Sequence, residues 1–309
     1  MASIGEHAGV KFMKILFRRF LKPLLALSFG VMPAFSHALN AADKPRTVAL
    51  GGTITEIVYA LGAGDLLVGA DSSSIYPEAA TKLPQVGYQR QITAEGVLSL
   101  HPTLILASSE AGPPSAVEQV KQSGVSWVSI PAENSVEGVR AKILAVAHAL
   151  NRDEQGKALI QRLNDEITKA QSLPSLKGSK PKVLFIYARG GGTVNVAGQE
   201  TAADAIITLG GGVNAVTGYK GYKPITAEAV VAAAPDVILI PSRGLESIGG
   251  IDGLLSQPGL AATPAGKSRN VIAMDDLLLL GFGPRLGEAV SQLTHLLHPD
   301  KTEHAATTP

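Results

Sequence analysis

Short apolar runs rich in β-prone residues alternate with amphipathic stretches in two separate parts of the chain. Strands and helices in such alternation favour mostly parallel sheets with helices on their faces. The first helix is predicted to open with a capping box, Thr53-Ile54-Thr55-Glu56. The predicted strands are 46–50, 66–70, 103–107, 126–130, 182–188, 236–240 and 270–274, and the predicted helices are 53–62, 93–100, 114–123, 200–209 and one that begins near residue 284.

A helical stretch separates the two parts. Between residues 135 and 172 charged side chains are spaced around apolar positions, and Asn151 is predicted to divide the stretch into two helices. The second, about 20 residues long, extends roughly 30 Å and can cross a small lobe. We therefore predict an α/β fold of two lobes, each a mostly parallel sheet flanked by helices, with the ligand cleft between them. The predicted division is an N-terminal lobe at 39–150, a connecting helix at 151–174 and a C-terminal lobe at 175–309.

An internal repeat supports the division into two lobes. Residues 92–97 read Ile-Thr-Ala-Glu-Gly-Val and residues 225–230 read Ile-Thr-Ala-Glu-Ala-Val, and each precedes a Pro and an apolar strand at an offset of 133 positions. One short helix and strand that look alike are weak evidence, because such similarity often arises by chance. The identical Ile-Thr-Ala-Glu, once in each lobe, favours a pseudo-symmetric relation between the two lobes.

The N-terminus is predicted to be a secretory signal peptide, residues 1–38. Five basic residues precede an apolar run at 23–35, which ends at Ser36-His37-Ala38, a small-x-small cleavage pattern. That run is too short to span a bilayer comfortably. Because the chain has no Cys, it has no site for a lipid-modified Cys, and we expect a soluble periplasmic protein.

Composition and charge narrow the class of protein. With 45% hydrophobic and 17% charged residues the chain can bury a sizeable core. Removal of residues 1–38 leaves a net charge of −3, which gives no reason to expect nucleic-acid binding. Neither a Gly-x-Ser-x-Gly elbow nor a phosphate loop is present, and 281–287 is one residue too long for a dinucleotide fingerprint. The chemistry of an enzyme is therefore not expected.

Tyr88 and Arg90 are candidates for binding a ferric centre. If their segment is extended, the phenol and the guanidinium point to the same side. A free Tyr has a pKa near 10, so a neutral-pH phenolate needs both a metal and a nearby cation. The alternative is an ordinary exposed Tyr in a surface loop.

The second lobe offers further aromatic and basic residues after predicted strands: Tyr187, Arg189, Tyr222, Lys223 and Arg243. In open α/β sheets ligands bind beyond the carboxyl ends of the strands. Each of these residues alone fits a solvated surface position, whereas together they supply aromatic faces for a flat macrocycle and cations for its carboxylates.

Glu95 and Glu228 occupy equivalent positions in the repeat, each in the first turn of a helix capped by a Thr. A carboxylate there is favoured by the helix dipole alone, by about 0.3 to 1 kcal/mol. Two matched carboxylates, one on each lobe, also suit docking on a two-fold symmetric partner through basic residues.

These segments resemble the haem-binding periplasmic proteins of bacterial ABC haem importers, within the class that includes cobalamin and siderophore binders. The resemblance covers nearly all of the chain after residue 38. It is strongest at 51–57, 87–90, 198–205, 221–224 and 275–285.

The resemblance implies a periplasmic, monomeric, non-enzymatic carrier that delivers haem, as transported ligand, to an inner-membrane permease. It assigns Tyr88 as the axial iron ligand, and Glu95 and Glu228 as the residues that dock on the permease. Some members of the family add a His near the strand that here ends at Tyr187 and Arg189, and this chain has no His there. The alternatives are a siderophore or corrinoid carrier of the same fold, and a periplasmic haem-storage protein or enzyme.

Overall fold

The structure is a computed structural model that describes residues 44–299, apart from 174, 175, 177, 191–193 and 225. These residues belong to one compact unit that begins at Lys44. The predicted signal peptide at 1–38 and residues 191–193 of a Gly-rich stretch lie outside the described residues.

The N-terminal lobe is a four-stranded sheet in the order β2-β1-β3-β4, and every pair of neighbours is parallel. The middle strands are mostly apolar and buried except at Ser108, the last residue of β3, as is typical of a parallel sheet with helices on both faces. Its elements are β1 Thr47–Leu50, α1 Gly52–Ala60, β2 Leu67–Ala70, α2 Ala94–Leu98, β3 Leu104–Ser108, α3 Pro114–Gln122 and β4 Ser126–Ile130, with short 3-10 helices at Gly64–Leu66, Glu78–Lys82 and Gln89–Gln91.

Two helices follow the first sheet, α4 Val136–Ala149 and α5 Asp153–Gln171. Asn151 lies between them with a φ of 55°, a left-handed conformation that ends α4 and lets the chain turn. The predicted break at this residue is confirmed. Both helices pack into one buried apolar cluster with elements of both lobes, so they form a continuous core with them.

The C-terminal lobe is a six-stranded sheet in the order β10-β9-β5-β6-β8, with β7 paired to β5. The pairs of β5, β7, β9 and β10 are parallel, whereas β6 runs antiparallel to both β5 and β8. The elements are β5 Lys182–Tyr187, β6 Asn195–Ala197, α6 Ala202–Leu209, β7 Val213–Asn214, β8 Tyr222–Pro224, α7 Ala227–Ala233, β9 Val237–Pro241, α8 Ser242–Ser247, α9 Gly250–Leu255, α10 Pro264–Ser268, β10 Val271–Met274, α11 Asp276–Leu280 and α12 Leu286–Leu297, with a 3-10 helix at Leu260–Ala262.

The sequence prediction missed the short elements of this lobe. Strands β6, β7 and β8 have two or three residues each, too few to show an apolar alternation. One consequence concerns Tyr222, which was predicted in or beside a loop and instead lies in the edge strand β8. Arg243 likewise lies in the first turn of α8, directly after β9, rather than in a loop.

The internal repeat is present in the backbone. Strands β3 and β9 are offset by 133 positions at both ends, and the helices that precede them are capped by Thr93 and Thr226. His101 and Ala234, which are also equivalent, adopt left-handed φ values of 47° and 45°. Residues other than Gly rarely adopt this conformation. The match therefore supports the predicted pseudo-symmetry of the two lobes.

Helix α1 does not begin as predicted. Its N-cap is Gly51, which has a φ of 132° that glycine adopts readily and other residues rarely do. No side chain forms a capping hydrogen bond with the helix. Thr53 instead donates to the carbonyl of Gly281 at 2.8 Å, and Glu56 pairs with Arg285. The predicted capping box is therefore wrong, because the side chains of Thr53 and Glu56 form hydrogen bonds with the other lobe instead.

Thr53, Glu56, Gly281 and Arg285 lie in an inter-lobe seam, formed by residues 51–56 of the first lobe and 277–285 of the second. The first segment directly follows β1, and the second begins just beyond β10. Since the segments are in contact, the carboxyl ends of both sheets face the same region. In the described part of the chain no helix is long and apolar enough to cross a membrane.

Candidate ligand cleft

Asp71, at the carboxyl end of β2, holds the turn that carries Tyr88 against the inter-lobe seam. Its buried carboxylate accepts from the backbone amides of Gly51 at 2.8 Å and Gln89 at 3.2 Å. It also accepts from the hydroxyls of Ser73 and Ser74. The sequence analysis did not single out Asp71, although an Asp directly after a buried strand was a usable signal.

Tyr88 and Arg90 are brought together as the sequence predicts. Arg90 Nη1 donates to the Tyr88 hydroxyl oxygen at 2.9 Å. The local backbone differs from the extended segment considered, because Gln89–Gln91 form a turn of 3-10 helix that begins after Tyr88. The pair is partly exposed beyond the carboxyl end of the sheet, the side on which open α/β sheets bind ligands.

Glu110 is the second partner of Arg90. Its carboxylate accepts from Arg90 Nη2 in an ion pair in which both side chains are about half exposed. Partial burial lowers the pKa of Arg90, but the hydrogen bond and charge of Glu110, and then those of Tyr88, outweigh it and raise that pKa overall. The guanidinium is therefore held as a cation against the Tyr88 oxygen.

Three of the predicted C-terminal residues form an aromatic and basic cluster. The rings of Tyr187 and Tyr222 lie 5.8 Å apart between centroids, and the guanidinium carbon of Arg189 lies 5.4 Å from the centre of the Tyr187 ring. Strand β8 brings Tyr222 to this place by pairing with β6, which pairs with β5. Across the described residues, no hydrogen bond or ring contact joins this cluster to Tyr88.

Tyr222 packs against Phe185 as well as Tyr187. The ring centroids of Tyr222 and Phe185 lie 6.2 Å apart in an edge-on arrangement. Burial raises the pKa of Tyr222, and Ala203 and Thr201 at the start of α6 act in the opposite direction. The residue keeps 41% of its surface exposed.

Arg243 joins the same region through Asp276, a residue that the sequence analysis did not name individually. The Arg243 amide donates to a carboxylate oxygen of Asp276 at 3.2 Å. Desolvation raises the pKa of Asp276, while the hydrogen bond and charge of Arg243 and the charge of Arg189 oppose the rise. Asp276 therefore places a carboxylate close to both arginines at the carboxyl ends of β9 and β10.

The second segment of the inter-lobe seam contacts two buried charged groups of the first lobe, Glu56 within the seam and Lys142 on α4 beside it. Glu56 pairs with both Nε and Nη2 of Arg285 at 2.7 and 3.3 Å, and the Arg285 guanidinium stacks on the Tyr76 ring at 3.6 Å. Desolvation raises the pKa of Glu56 in spite of Arg285. Lys142 donates to the carbonyl of Phe282 at 3.2 Å, and desolvation lowers its pKa to about 8.

Glu95 and Glu228 are exposed in the first turns of α2 and α7. Thr93 and Thr226 accept from the amides of Gly96 and Ala229 at 3.1 and 3.3 Å, as caps of the two helices. Hydrogen bonds from its own amide and from Thr226 lower the pKa of Glu228. Both carboxylates are free to meet a partner, and each also has the helix-stabilising position that its sequence predicts.

Neither of two cavities in the molecule includes Tyr88 or its partners. One, of about 210 Å³, lies in the second lobe and has a mostly apolar lining that includes Ile186 and Leu260. The other, of about 350 Å³, lies at the inter-lobe seam beside Glu56 and Arg285. Among the described residues, no group of three or more His, Asp and Glu side chains is placed to hold a metal ion. The assignment of the ligand cleft therefore depends on side-chain chemistry.

Two α/β lobes joined by a helical connector, with the carboxyl ends of both sheets towards one region, are the architecture of a bilobed binding protein. Residues 47–278 match the periplasmic binding protein family, and the chain belongs to this family. The fold predicted from the sequence is confirmed by this match.

Solved structures of similar proteins cover about four fifths of the chain. The periplasmic heme-binding protein RhuT from Roseiflexus sp. RS-1, in apo form, is 45% identical with a TM-score of 0.80, covering 82% of this chain and 98% of its own. The periplasmic heme-binding protein BhuT, in complex with two hemes, is 47% identical with a TM-score of 0.78 and the same coverage. A vitamin B12-binding protein of Vibrio vulnificus is 26% identical over 84% of this chain and 92% of its own.

Proposed function

We propose that this protein is the periplasmic haem-binding component of an ABC importer. The observation that carries the proposal is the hydrogen bond from Arg90 to the Tyr88 oxygen at 2.9 Å. Similarity to RhuT and BhuT, whose names describe haem binding, supports the same ligand.

Tyr88 supplies the axial oxygen to ferric haem in this proposal. A phenolate is a hard anionic donor suited to Fe(III), as in Tyr-ligated haem proteins, and the charge of the iron drives much of the deprotonation. Arg90 stabilises the phenolate by a charge-assisted hydrogen bond. Tyr187 and Tyr222 cover a face of the macrocycle, and Arg189 and Arg243 meet the propionates.

A titration of the haem-free protein with haemin tests the proposal. We expect saturable binding with a high-spin ferric spectrum and a phenolate-to-iron charge-transfer band. Cyanocobalamin and a ferric hydroxamate, added in parallel, should neither bind tightly nor displace haemin. Tight binding of either one, with no haemin spectrum, would overturn the haem assignment.

A corrinoid carrier is the second candidate, and the vitamin B12-binding relative favours it. Such a carrier has no need for a phenolate held by an arginine. Mutating Tyr88 to Phe therefore separates the two cargoes, since it removes only the ligand oxygen. Cobalamin binding should survive this change, whereas haem binding should not.

Glu95 and Glu228 are proposed to dock the haem-loaded protein on basic residues of its permease. Their support is their equivalent, exposed placement on α2 and α7. The double variant Glu95→Lys with Glu228→Lys should abolish haem-dependent growth and leave haemin binding unchanged. The matched control reverses one exposed acid in each lobe, Glu118→Lys with Asp252→Lys, and should transport normally. Transport by the first variant would contradict the assignment.

The mature protein is proposed to be a monomeric carrier that releases haem chemically unchanged. Light scattering of the haem-loaded protein should give the mass of one chain. Extraction of the ligand after binding should return intact haem, and recovery of an opened tetrapyrrole would show an enzyme instead.

Export and cleavage after Ala38 are proposed from the basic and apolar order of residues 1–38 and the absence of Cys. We propose that the mature protein is soluble in the periplasm and has no lipid anchor. N-terminal sequencing of periplasmic protein should begin near Leu39. An intact N-terminus in the membrane fraction would contradict the proposal.

A further inference from the structure

Glu110 holds the other end of the arginine that binds the Tyr88 oxygen. Arg90 donates through Nη1 to Tyr88 at 2.9 Å and through Nη2 to Glu110. A guanidinium is planar and its donors have fixed directions, so a partner on one nitrogen determines where the other points. Glu110 thus orients the group that meets the ligand oxygen, without a hydrogen bond to that oxygen itself.

The backbone fixes Glu110 in this place. Glu110 lies in the turn after β3, and its amide donates to the Ser108 hydroxyl at 3.2 Å. Two residues further on, Gly112 donates to the carbonyl of Gln89 and accepts from the amide of Ile92, both at 2.9 Å. These hydrogen bonds join the turn that carries Glu110 to the turn that carries Tyr88 and Arg90.

Folding stability does not account for the pair. The side chains of Arg90 and Glu110 are 51% and 48% exposed, and ion pairs at such positions add little to folding stability. Partners that orient a metal ligand, in contrast, change metal affinity by about 10–100-fold when they are removed. The geometry of Glu110 and Arg90 fits the orientation of a metal ligand.

The charge of Glu110 also acts on the ligand oxygen. An unbalanced guanidinium withdraws electron density from a phenolate, which makes the phenolate a weaker donor to iron. A carboxylate on the far side of the guanidinium offsets this effect. Glu110 therefore strengthens the Tyr88 phenolate as a donor to iron, in addition to orienting Arg90.

We propose that Glu110 is a positioning residue for the haem ligand, which holds Arg90 on the Tyr88 oxygen and balances its charge, so that the phenolate donates strongly to ferric iron. This inference rests on the proposed haem function and deepens it. Because Glu110 acts through Arg90, its removal should change the properties of the iron while the iron keeps its ligand.

The test compares wild type, Glu110→Gln, Glu110→Ala and Tyr88→Phe, each with haemin. Glu118→Gln is the matched control, because Glu118 is an exposed glutamate of α3 that pairs with Lys121 at 3.1 Å. The charge of Glu110 helps to raise the pKa of the buried Lys142, which desolvation lowers to about 8, so the work is done at about pH 6, well below that value. The readouts are the charge-transfer band, the reduction potential and the haem dissociation rate.

In Glu110→Gln we expect the charge-transfer band to persist at higher energy, the reduction potential to rise, and dissociation to be about fivefold faster. Glu110→Ala also frees Arg90, so dissociation should be up to about tenfold faster, the limit set by removing Arg90 itself. A readout without haem is the arginine side-chain NMR spectrum, in which rotation of the Arg90 guanidinium should be restricted in wild type and free in Glu110→Ala.

The outcomes separate this inference from the proposed function. If wild type shows the band, Tyr88→Phe loses it, and both Glu110 variants match wild type in every readout, the role of Glu110 is wrong and the haem function stands. If wild type shows no band, the haem function fails. A shift in Glu118→Gln equal to that in Glu110→Gln would also overturn the inference, since it would reflect general surface charge.

Discussion

Two arginine–glutamate pairs, each beside a tyrosine, lie where the carboxyl ends of the sheets meet, and they differ chiefly in burial. At the inter-lobe seam, the side chains of Arg285 and Glu56 are 18% and 4% exposed, and Arg285 stacks on the ring of Tyr76. In the candidate cleft Arg90 and Glu110 are about half exposed, and Arg90 meets the oxygen of a tyrosine rather than its ring.

The difference shows how an arginine–glutamate pair beside a tyrosine can either hold two lobes together or orient a tyrosine oxygen. In a buried pair that spans the lobes the two charges compensate each other, and removing one partner leaves an uncompensated charge. An exposed pair adds little to stability, but it can present a tyrosine oxygen to an incoming ligand. Burial and the contacted atom of the tyrosine, and not the residue types, distinguish the inter-lobe pair from the pair at the candidate binding site.

The largest predicted effect is on stability at the inter-lobe seam. Arg285→Met should lower the free energy of unfolding by about 3–5 kcal/mol, because Glu56 then stays buried without a partner. Urea denaturation measures this change. The double variant Glu56→Met with Arg285→Met should recover most of the loss. If Arg285→Met were as stable as wild type, the pair would not hold the lobes together.

The free energy of unfolding should depend on pH through Lys142, the buried lysine of α4 beside the inter-lobe seam. Burial lowers its pKa from 10.5 to about 8, so the folded protein loses this proton at lower pH than the unfolded chain. Between these values the unfolded chain binds more protons, and stability therefore rises with pH. Between pH 7 and pH 10.5 the free energy of unfolding of wild type should increase by about 3 kcal/mol more than that of Lys142→Met.

Urea denaturation of both proteins at several pH values measures this difference. Lys121→Met is the control, because Lys121 is an exposed lysine of α3 and its removal should leave the rise intact. Parallel pH curves for wild type and Lys142→Met would show that Lys142 is not desolvated in the folded protein.

The smallest predicted effect is on the exposed pair. Arg90→Ala should weaken haemin binding about tenfold, the scale of one charge-assisted hydrogen bond, and keep the tyrosinate-type spectrum. Its free energy of unfolding should change by less than about 1 kcal/mol. Binding is measured by titration at the Soret band. A loss of stability as large as that of Arg285→Met would erase the distinction between the two pairs.

The fold was predictable from sequence because long apolar strands and amphipathic helices show their periodicity locally. The pairing of Tyr88 with Arg90 was predicted from an extended segment, whereas a turn of 3-10 helix after Tyr88 brings the two side chains together. Glu56 was misread as part of a capping box, because its real partner, Arg285, is distant along the chain and only the folded lobes bring the two together.

Other parts of the site could not be predicted for a related reason. Glu110 and Asp71 act through turns that become neighbours of Tyr88 only when strands β1, β2 and β3 pair. Tyr222 reaches Tyr187 through β8, a strand of three residues with no sequence pattern of its own. The local chemistry was visible in the sequence, whereas the partners that orient it were not.

The most direct test of the central claim compares two tyrosines with haemin. Tyr88→Phe should lose the phenolate-to-iron charge-transfer band and more than about 100-fold in affinity, because removing a ligand exceeds the effect of removing a residue that only orients one. Tyr76→Phe, which keeps its ring against Arg285, should match wild type in both. An unchanged band and affinity in Tyr88→Phe would contradict the account.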